Sequence, residues 1–218
     1  MMVYTGNADG SSLDKVEELN LGIMVASSAT WEPRKNYSRV PCALDNGAFQ
    51  CWRRGFPFMA DVFRKTLSKA YHVGLKLDFV VCPDLVAMGL KSLDFSMRWA
   101  HGELESAPRL ALAVQDGMTP DDVTPGYHMK PFTHIFIGGT VNWKWQTAQE
   151  WIDHAHKHGL KCHIGQCGTL DRIAAAERMG ADSVDSTSIV RNQSWHIIDE
   201  WRNGGKQAEL NMEAKCIA

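Results

Sequence analysis

Eight short apolar runs, each followed by a polar or amphipathic stretch, set the tightest limit on how this chain folds. The runs are Val3–Gly6, Gly22–Ala26, Cys42–Asp45, Asp78–Pro83, Leu110–Gln115, His134–Gly138, Lys161–Gly165 and Asp182–Asp185. They are rich in Val, Ile and Leu and too short for helices, which predicts strands. Strands that are apolar on both faces are covered on both faces, and that predicts parallel pairing. Helices are predicted at Ser12–Leu19, which opens with the capping pattern Ser-Leu-Asp-Lys, at Pro57–His72 with Phe58, Val62, Leu67 and Tyr71, and across Ser92–Leu104. Two more fall at Trp145–His158 and Leu170–Met179, each followed by a glycine suited to a C-cap, Gly159 and Gly180. Eight strand–helix units predict one α/β domain over residues 1–218, a (β/α)8 barrel of the TIM type near the small end of that fold's range. A doubly wound open sheet is the alternative, but Gly6-Asn7-Ala8-Asp9-Gly10 does not supply its G-x-G-x-x-G phosphate turn.

The composition narrows the class further. With 44% hydrophobic residues the chain has material for a full core and is not a disordered polymer. Lys and Arg total 23 against 25 Asp and Glu, so a protein gripping nucleic acid by bulk positive charge is excluded, while a local basic patch is not. No apolar run reaches membrane-spanning length, and residues 1–10 do not read as a secretory signal; the expectation is a cytoplasmic protein with no membrane partner. Cys42, Cys51, Cys82, Cys162, Cys167 and Cys216 form no C-x-x-C pair, which predicts reduced thiols. His154, His156 and His158 lie two apart, a spacing that splays side chains around a helix, and Cys162, His163 and Cys167 match no zinc spacing. No metal and no cofactor is expected.

The polar residues cluster where barrel enzymes do their chemistry, at the C-terminal ends of the strands. Asp45, Asp84, Gln115, the pair Gly138 and Gly139, Gly165 and Asp185 all fall at such ends. Two carboxylates facing each other across a pocket suit a glycosidic bond, one attacking the anomeric carbon and the other protonating the leaving group. A further Asp and a Gln suit the edge of a planar amide-like ligand, and N–H groups at two glycines suit its carbonyl. Phe49 is a candidate for stacking on a ring.

The motifs carrying these residues resemble the guanine transglycosylase superfamily. Asp45-Asn46-Gly47-Ala48-Phe49-Gln50 is similar to its D-S-G-G-F-Q segment, Val114-Gln115-Asp116-Gly117 to V-Q-G-G, and Ile137-Gly138-Gly139 to I-G-G. Val184-Asp185, with Arg191 six positions on, resembles D-C-V-x-P-T-R. The motif order agrees over roughly residues 40–195. Within the superfamily, Ala181–Ser188 and Val81-Cys82-Pro83-Asp84 are closest to the short phage and bacterial DpdA-type 7-deazaguanine DNA transglycosylases. The zinc-binding extension of the tRNA enzymes has no counterpart in the 33 residues after Asp185, which contain one cysteine, Cys216. Ile189 and Val190 also stand where the family has Pro and Thr.

The resemblance implies exchange of guanine in DNA for a 7-deazaguanine base such as preQ0 or preQ1, without strand cleavage. It implies Asp185 as nucleophile and Asp45 as proton donor and acceptor, with the base held by Asp84, Gln115, Gly138, Gly139 and Phe49. Arg53, Arg54, Lys144 and Arg191, all just past strand ends, are the candidate phosphate contacts, with Trp52, Trp143 and Trp145 beside them to stack on bases. The implied partners are DNA, the incoming base and a helper protein for a weak rim, in a bacterial or phage-infected cell. Other readings of the same carboxylates are a tRNA-directed exchange, a base or glycosyl hydrolase, and a catalytically inactive nucleic-acid-binding barrel.

Overall fold

The computed structural model describes residues 1–204 of the 218, so Cys216 lies outside the described residues. The chain forms a closed barrel of eight parallel strands in sequence order, a (β/α)8 fold of the TIM type. The strands are β1 (Met2–Thr5), β2 (Gly22–Ala26), β3 (Cys42–Asp45), β4 (Leu77–Val81), β5 (Leu110–Val114), β6 (Phe132–Ile137), β7 (Lys161–Ile164) and β8 (Ser183–Ser186). Each lies within two residues of its predicted run. Pairing of β8 with β1, Asp185 opposite Tyr4, closes the ring.

Helices surround it: α1 (Gly10–Glu18), α2 (Ala48–Arg53), α3 (Ala60–His72), α4 (Leu90–Ala100), α5 (Val141–Lys157), α6 (Leu170–Arg178) and α7 (Thr187–Arg191), with residues 196–204 also helical. Two connections depart from the predicted strand–helix rhythm. Between β2 and β3 the chain makes only a 3-10 turn, Lys35–Arg39, and between β5 and β6 a 3-10 turn, Pro120–Asp122, and a π turn, Pro125–Met129. Pro33 and Pro41 punctuate the first connection, and Pro120, Pro125 and Pro131 the second. A proline lacks the N–H that a continuing helix needs.

Two finer expectations are corrected. Helix α1 starts at Gly10, before the Ser-Leu-Asp-Lys pattern, because the Asp9 carbonyl already accepts from Ser12 and Leu13 N–H. On α3 the buried face is Phe63, Thr66 and Ala70, while Tyr71 faces solvent. Gly159 and Gly180 do adopt positive φ after α5 and α6, as the C-cap reading requires. The α5 histidines splay: His154 donates to the Val123 carbonyl (3.0 Å) and His156 to Asp182 (2.9 Å).

Strand alternation sorts the core into two shells. Ile23, Leu44, Val80, Leu112, Ile135 and Val184 point outward and pack beneath the helices. Tyr4, Met24, Phe79, Val81 and Phe136 fill the barrel, with Ala43, Ala111 and Ala113 small enough to admit them. His134 and His163 join this inner shell, His134 against Phe79 (4.7 Å between ring centroids) and His163 flat on Phe136 (4.8 Å, 16°). Burial holds His134 well below the usual histidine range, at about 4, so it packs as a neutral ring. Burial also pushes the Cys42, Cys82, Cys162 and Cys167 thiols up, which leaves them as protonated packing groups; no disulfide forms among the described residues.

Candidate active site

The same alternation that fills the barrel aims the site. Counting by twos from the inner shell, Ala43 leads to Asp45, Ala113 to Gln115, Phe136 to Gly138, His163 to Gly165 and Ser183 to Asp185. These residues therefore point into the mouth of the barrel. They line one cavity of about 910 Å³, together with Asp84, Phe49, Gly139 and Lys144.

One wall is a fixed acceptor. Asp84 Oδ1 accepts from Asn46 Nδ2 (2.6 Å) and Asp84 Oδ2 from Gln115 Nε2 (2.5 Å). Asn46 also donates to the Cys82 carbonyl (2.8 Å) and accepts from Ala48 N–H (2.8 Å), so it ties β3 to β4 and starts α2. Gln115 Oε1 accepts from Ala87 N–H (3.3 Å). The turn carrying Asn46 needs Gly47, whose φ is +81° and where a Cβ would lie 2.5 Å from the Ser27 carbonyl. Burial pushes the Asp84 carboxyl up to about 7, with a smaller push from Asp45, while Asn46 and Gln115 pull it down.

Asp45, beside that wall at the end of β3, and Asp185, at the end of β8, line the same cavity. Burial, and then the charge of Asp185, lift the Asp45 carboxyl to about 6, against the pull of the Gly47 and Asn46 N–H groups. Asp45 is thereby poised to carry a proton near neutral pH, the requirement for a general acid. Asp185 accepts at Oδ1 from Gln166 N–H and from His163 Nε2, both at 3.1 Å. Burial thus lifts the Asp45 carboxyl, while two donors hold Asp185 at one oxygen, an arrangement suited to an acid and a nucleophile.

The raised Asp45 pKa fixes a stability trend. The native state holds this proton more tightly than the unfolded chain, so stability is lost as pH rises from about 4 through about 6. Asp45→Asn removes that dependence. Its stability relative to wild type is expected to grow by about 1–2 kcal/mol between pH 4 and pH 8. Urea titrations at the two pH values check this, and a constant difference refutes it.

Several expectations change. Lys144 is not on the rim. It is buried in the cavity wall, its Nζ donates to the Gly165 carbonyl (2.5 Å), and burial pushes its pKa down against the opposing field of Asp185. Lys144 falls on the inward side of α5, so it meets the core where a phosphate contact needs solvent. Trp143 and Trp145 likewise pack against the core, leaving Trp52 as the exposed member of that trio. Arg53, Arg54 and Arg191 are exposed at the cavity edge. Phe49 is half-buried against Trp52 (5.7 Å). The Gly138 N–H is already bonded to the Val114 carbonyl (3.0 Å), so of the glycine pair only Gly139 offers an N–H to a ligand. Gly138 serves instead by having no side chain: a Cβ there would lie 2.6 Å from Gln115 Nε2.

Two contributors escape a reading of the sequence alone. Asp116 accepts from Thr140 N–H (2.7 Å) and Thr140 Oγ1 (2.5 Å), locking the glycine turn at the start of α5. Its signal is an Asp where V-Q-G-G has Gly. His163 supports Asp185 from inside the barrel, and its signal is inward parity with Gly165 on β7. Among the described residues no three His, Cys, Asp or Glu side chains group closely enough to hold a metal ion, and no helix is long and apolar enough to cross a membrane. No protein-family model matches the chain, and a search of curated proteins returns no match.

Proposed function

We propose that this protein exchanges guanine in DNA for a 7-deazaguanine base through a glycosyl ester on Asp185. The observation that carries the reading is the division of labour in the cavity. A carboxyl lifted to about 6 shares it with a donor-held carboxylate, beside an Asp84 acceptor pinned by Asn46 and Gln115. The motif resemblance supplies the substrate class and the DNA acceptor.

In the first half-reaction an Asp185 oxygen attacks C1′ of deoxyguanosine. The C1′–N9 bond breaks, its electron pair leaves with the base, and Asp45 gives the base its proton. In the second half the incoming base returns a proton to Asp45, its N9 attacks C1′, and the Asp185 ester breaks. Two inversions give net retention. Asp84 accepts from the amino and ring N–H groups of guanine, and adenine leaves that acceptor without its partners, at about 1–3 kcal/mol per group. Gly139 N–H faces the base carbonyl.

The target base leaves the stack to enter the cavity, which costs a few kcal/mol in duplex and less in single strands. The test is direct. Labelled preQ0, preQ1 or guanine incubated with guanine-containing DNA is expected to enter the DNA. Label in tRNA and none in DNA overturns the DNA acceptor; guanine release without any incorporation replaces exchange by hydrolysis.

The rim bears on affinity. Arg53→Glu with Arg54→Glu is expected to weaken single-stranded DNA binding about tenfold or more at about 50 mM salt. It should also lower the log–log salt slope by about one for each phosphate that is no longer neutralised. Fluorescence anisotropy across a salt series reads both, and an unchanged slope removes these arginines from the DNA path.

A further inference from the structure

The two oxygens of Asp185 are chemically equal, but the fold treats them differently. Oδ1 accepts from His163 Nε2 and from Gln166 N–H, each at 3.1 Å, whereas Oδ2 has no hydrogen-bond donor among the described residues. His163 is itself fixed on every side. Its Nδ1 meets Ser183 Oγ at 2.8 Å, its ring stacks on Phe136, and Phe79 and Tyr4 close around it at 5.2 and 6.0 Å. The strand register produces this contact: His163 pairs with Ser183 across β7 and β8, and Asp185 is the next inward residue.

His163 is fully buried and does not line the cavity, so it reaches substrate only through Asp185. Burial lowers its pKa, opposed by Asp185 and aided by Lys144, which favours the neutral ring. A neutral imidazole carries one N–H. The carboxylate accepts and cannot donate, so the proton belongs on Nε2, and Nδ1 accepts a hydrogen bond from the Ser183 hydroxyl. This tautomer follows from the hydrogen-bond network.

We propose that His163 is a positioning residue: as the Nε2–H tautomer, locked by Ser183, it ties down Asp185 Oδ1 and leaves Oδ2 as the oxygen that attacks C1′. The proposal rests on the reading of Asp185 as nucleophile. Without the tie the carboxylate turns about its Cβ–Cγ bond and shares its donors between both oxygens. Small misplacements of a reacting atom cost about a hundredfold in rate.

The test has two arms. In the first, long-range proton–nitrogen NMR of the substrate-free protein is expected to show His163 as a neutral Nε2–H ring from about pH 6 to about pH 8. In Asp185→Ala that tautomer preference should be lost. An Nδ1–H ring in wild type overturns the proposal. In the second, single-turnover formation of the DNA–protein adduct is expected to fall about a hundredfold in His163→Leu, with KM for the base within about threefold. His163→Gln, whose amide N–H reaches the same place, is expected to recover about tenfold or more of that loss. A His163→Leu rate equal to wild type, or equal losses in the Leu and Gln variants with both folded, overturns it. The first arm needs no substrate. If wild-type protein forms no adduct while the Asp185-dependent tautomer is present, the glycosyl reading fails and the tie between His163 and Asp185 stands.

Discussion

Asp185→Ala is expected to abolish base exchange, by about 10⁴-fold or more, while the protein still folds. The size of the effect follows from covalent chemistry, since Asp185 alone is assigned the attack on C1′ and Asp84 has both oxygens engaged by Asn46 and Gln115. The survival of the fold follows from its position. Asp185 sits at the end of β8 with its side chain open to the cavity, and its removal leaves His163 Nε2 and Gln166 N–H facing a space that water enters. Asp185→Asn is the sharper form. It keeps the size, and its amide oxygen still accepts from His163, but an amide is a poor nucleophile. Both variants are expected to melt within a few degrees of wild type and to give no adduct on a denaturing gel. Label entering DNA with either variant refutes the assignment.

Asp84→Ala is expected to reduce kcat/KM for guanine by about 10²–10⁴-fold, since two buried N–H groups of the base lose their acceptor at roughly 1.5–3 kcal/mol each. Selectivity should fall with it. The supporting residues remain anchored, because Asn46 still donates to the Cys82 carbonyl and Gln115 still accepts from Ala87 N–H. The emptied wall then presents donors where it presented an acceptor, so adenine and hypoxanthine gain relative to guanine. Competition between the three bases for entry into DNA measures this. Unchanged ranking with a uniformly lower rate shows instead that Asp84 holds the cavity open and reads nothing.

The strands and the ring of residues at their ends are legible in the sequence because both depend on local pattern. A short apolar run bounded by glycine or a carboxylate marks a strand end wherever the strand falls in the barrel, and Asp45, Gln115, Gly138 and Asp185 share inward parity. What stays hidden depends on neighbours distant in sequence. Lys144 reads as a surface cation because nothing in Trp143-Lys144-Trp145 says which side of α5 meets the core. The two connections without α-helices are hidden because their turns are set by several prolines acting together. In sequence His163 stands beside Cys162, which points the other way on β7, whereas its partner is Asp185, 22 positions on.

The inner shell has a consequence for protons. Tyr4, Phe79, Phe136 and His163 form a solid floor beneath the cavity, and a separate opening of about 930 Å³ lies at the opposite end of the barrel, lined by Asp78, Arg109 and Lys161. Asp45 stands on the mouth side of this packed layer, so the mouth is the near route for its proton. On the proposed exchange reaction, with a polynucleotide over that mouth, the departing guanine would carry one proton out and the incoming base would bring one in. On that reading the next substrate recharges the acid at the same door through which the product left.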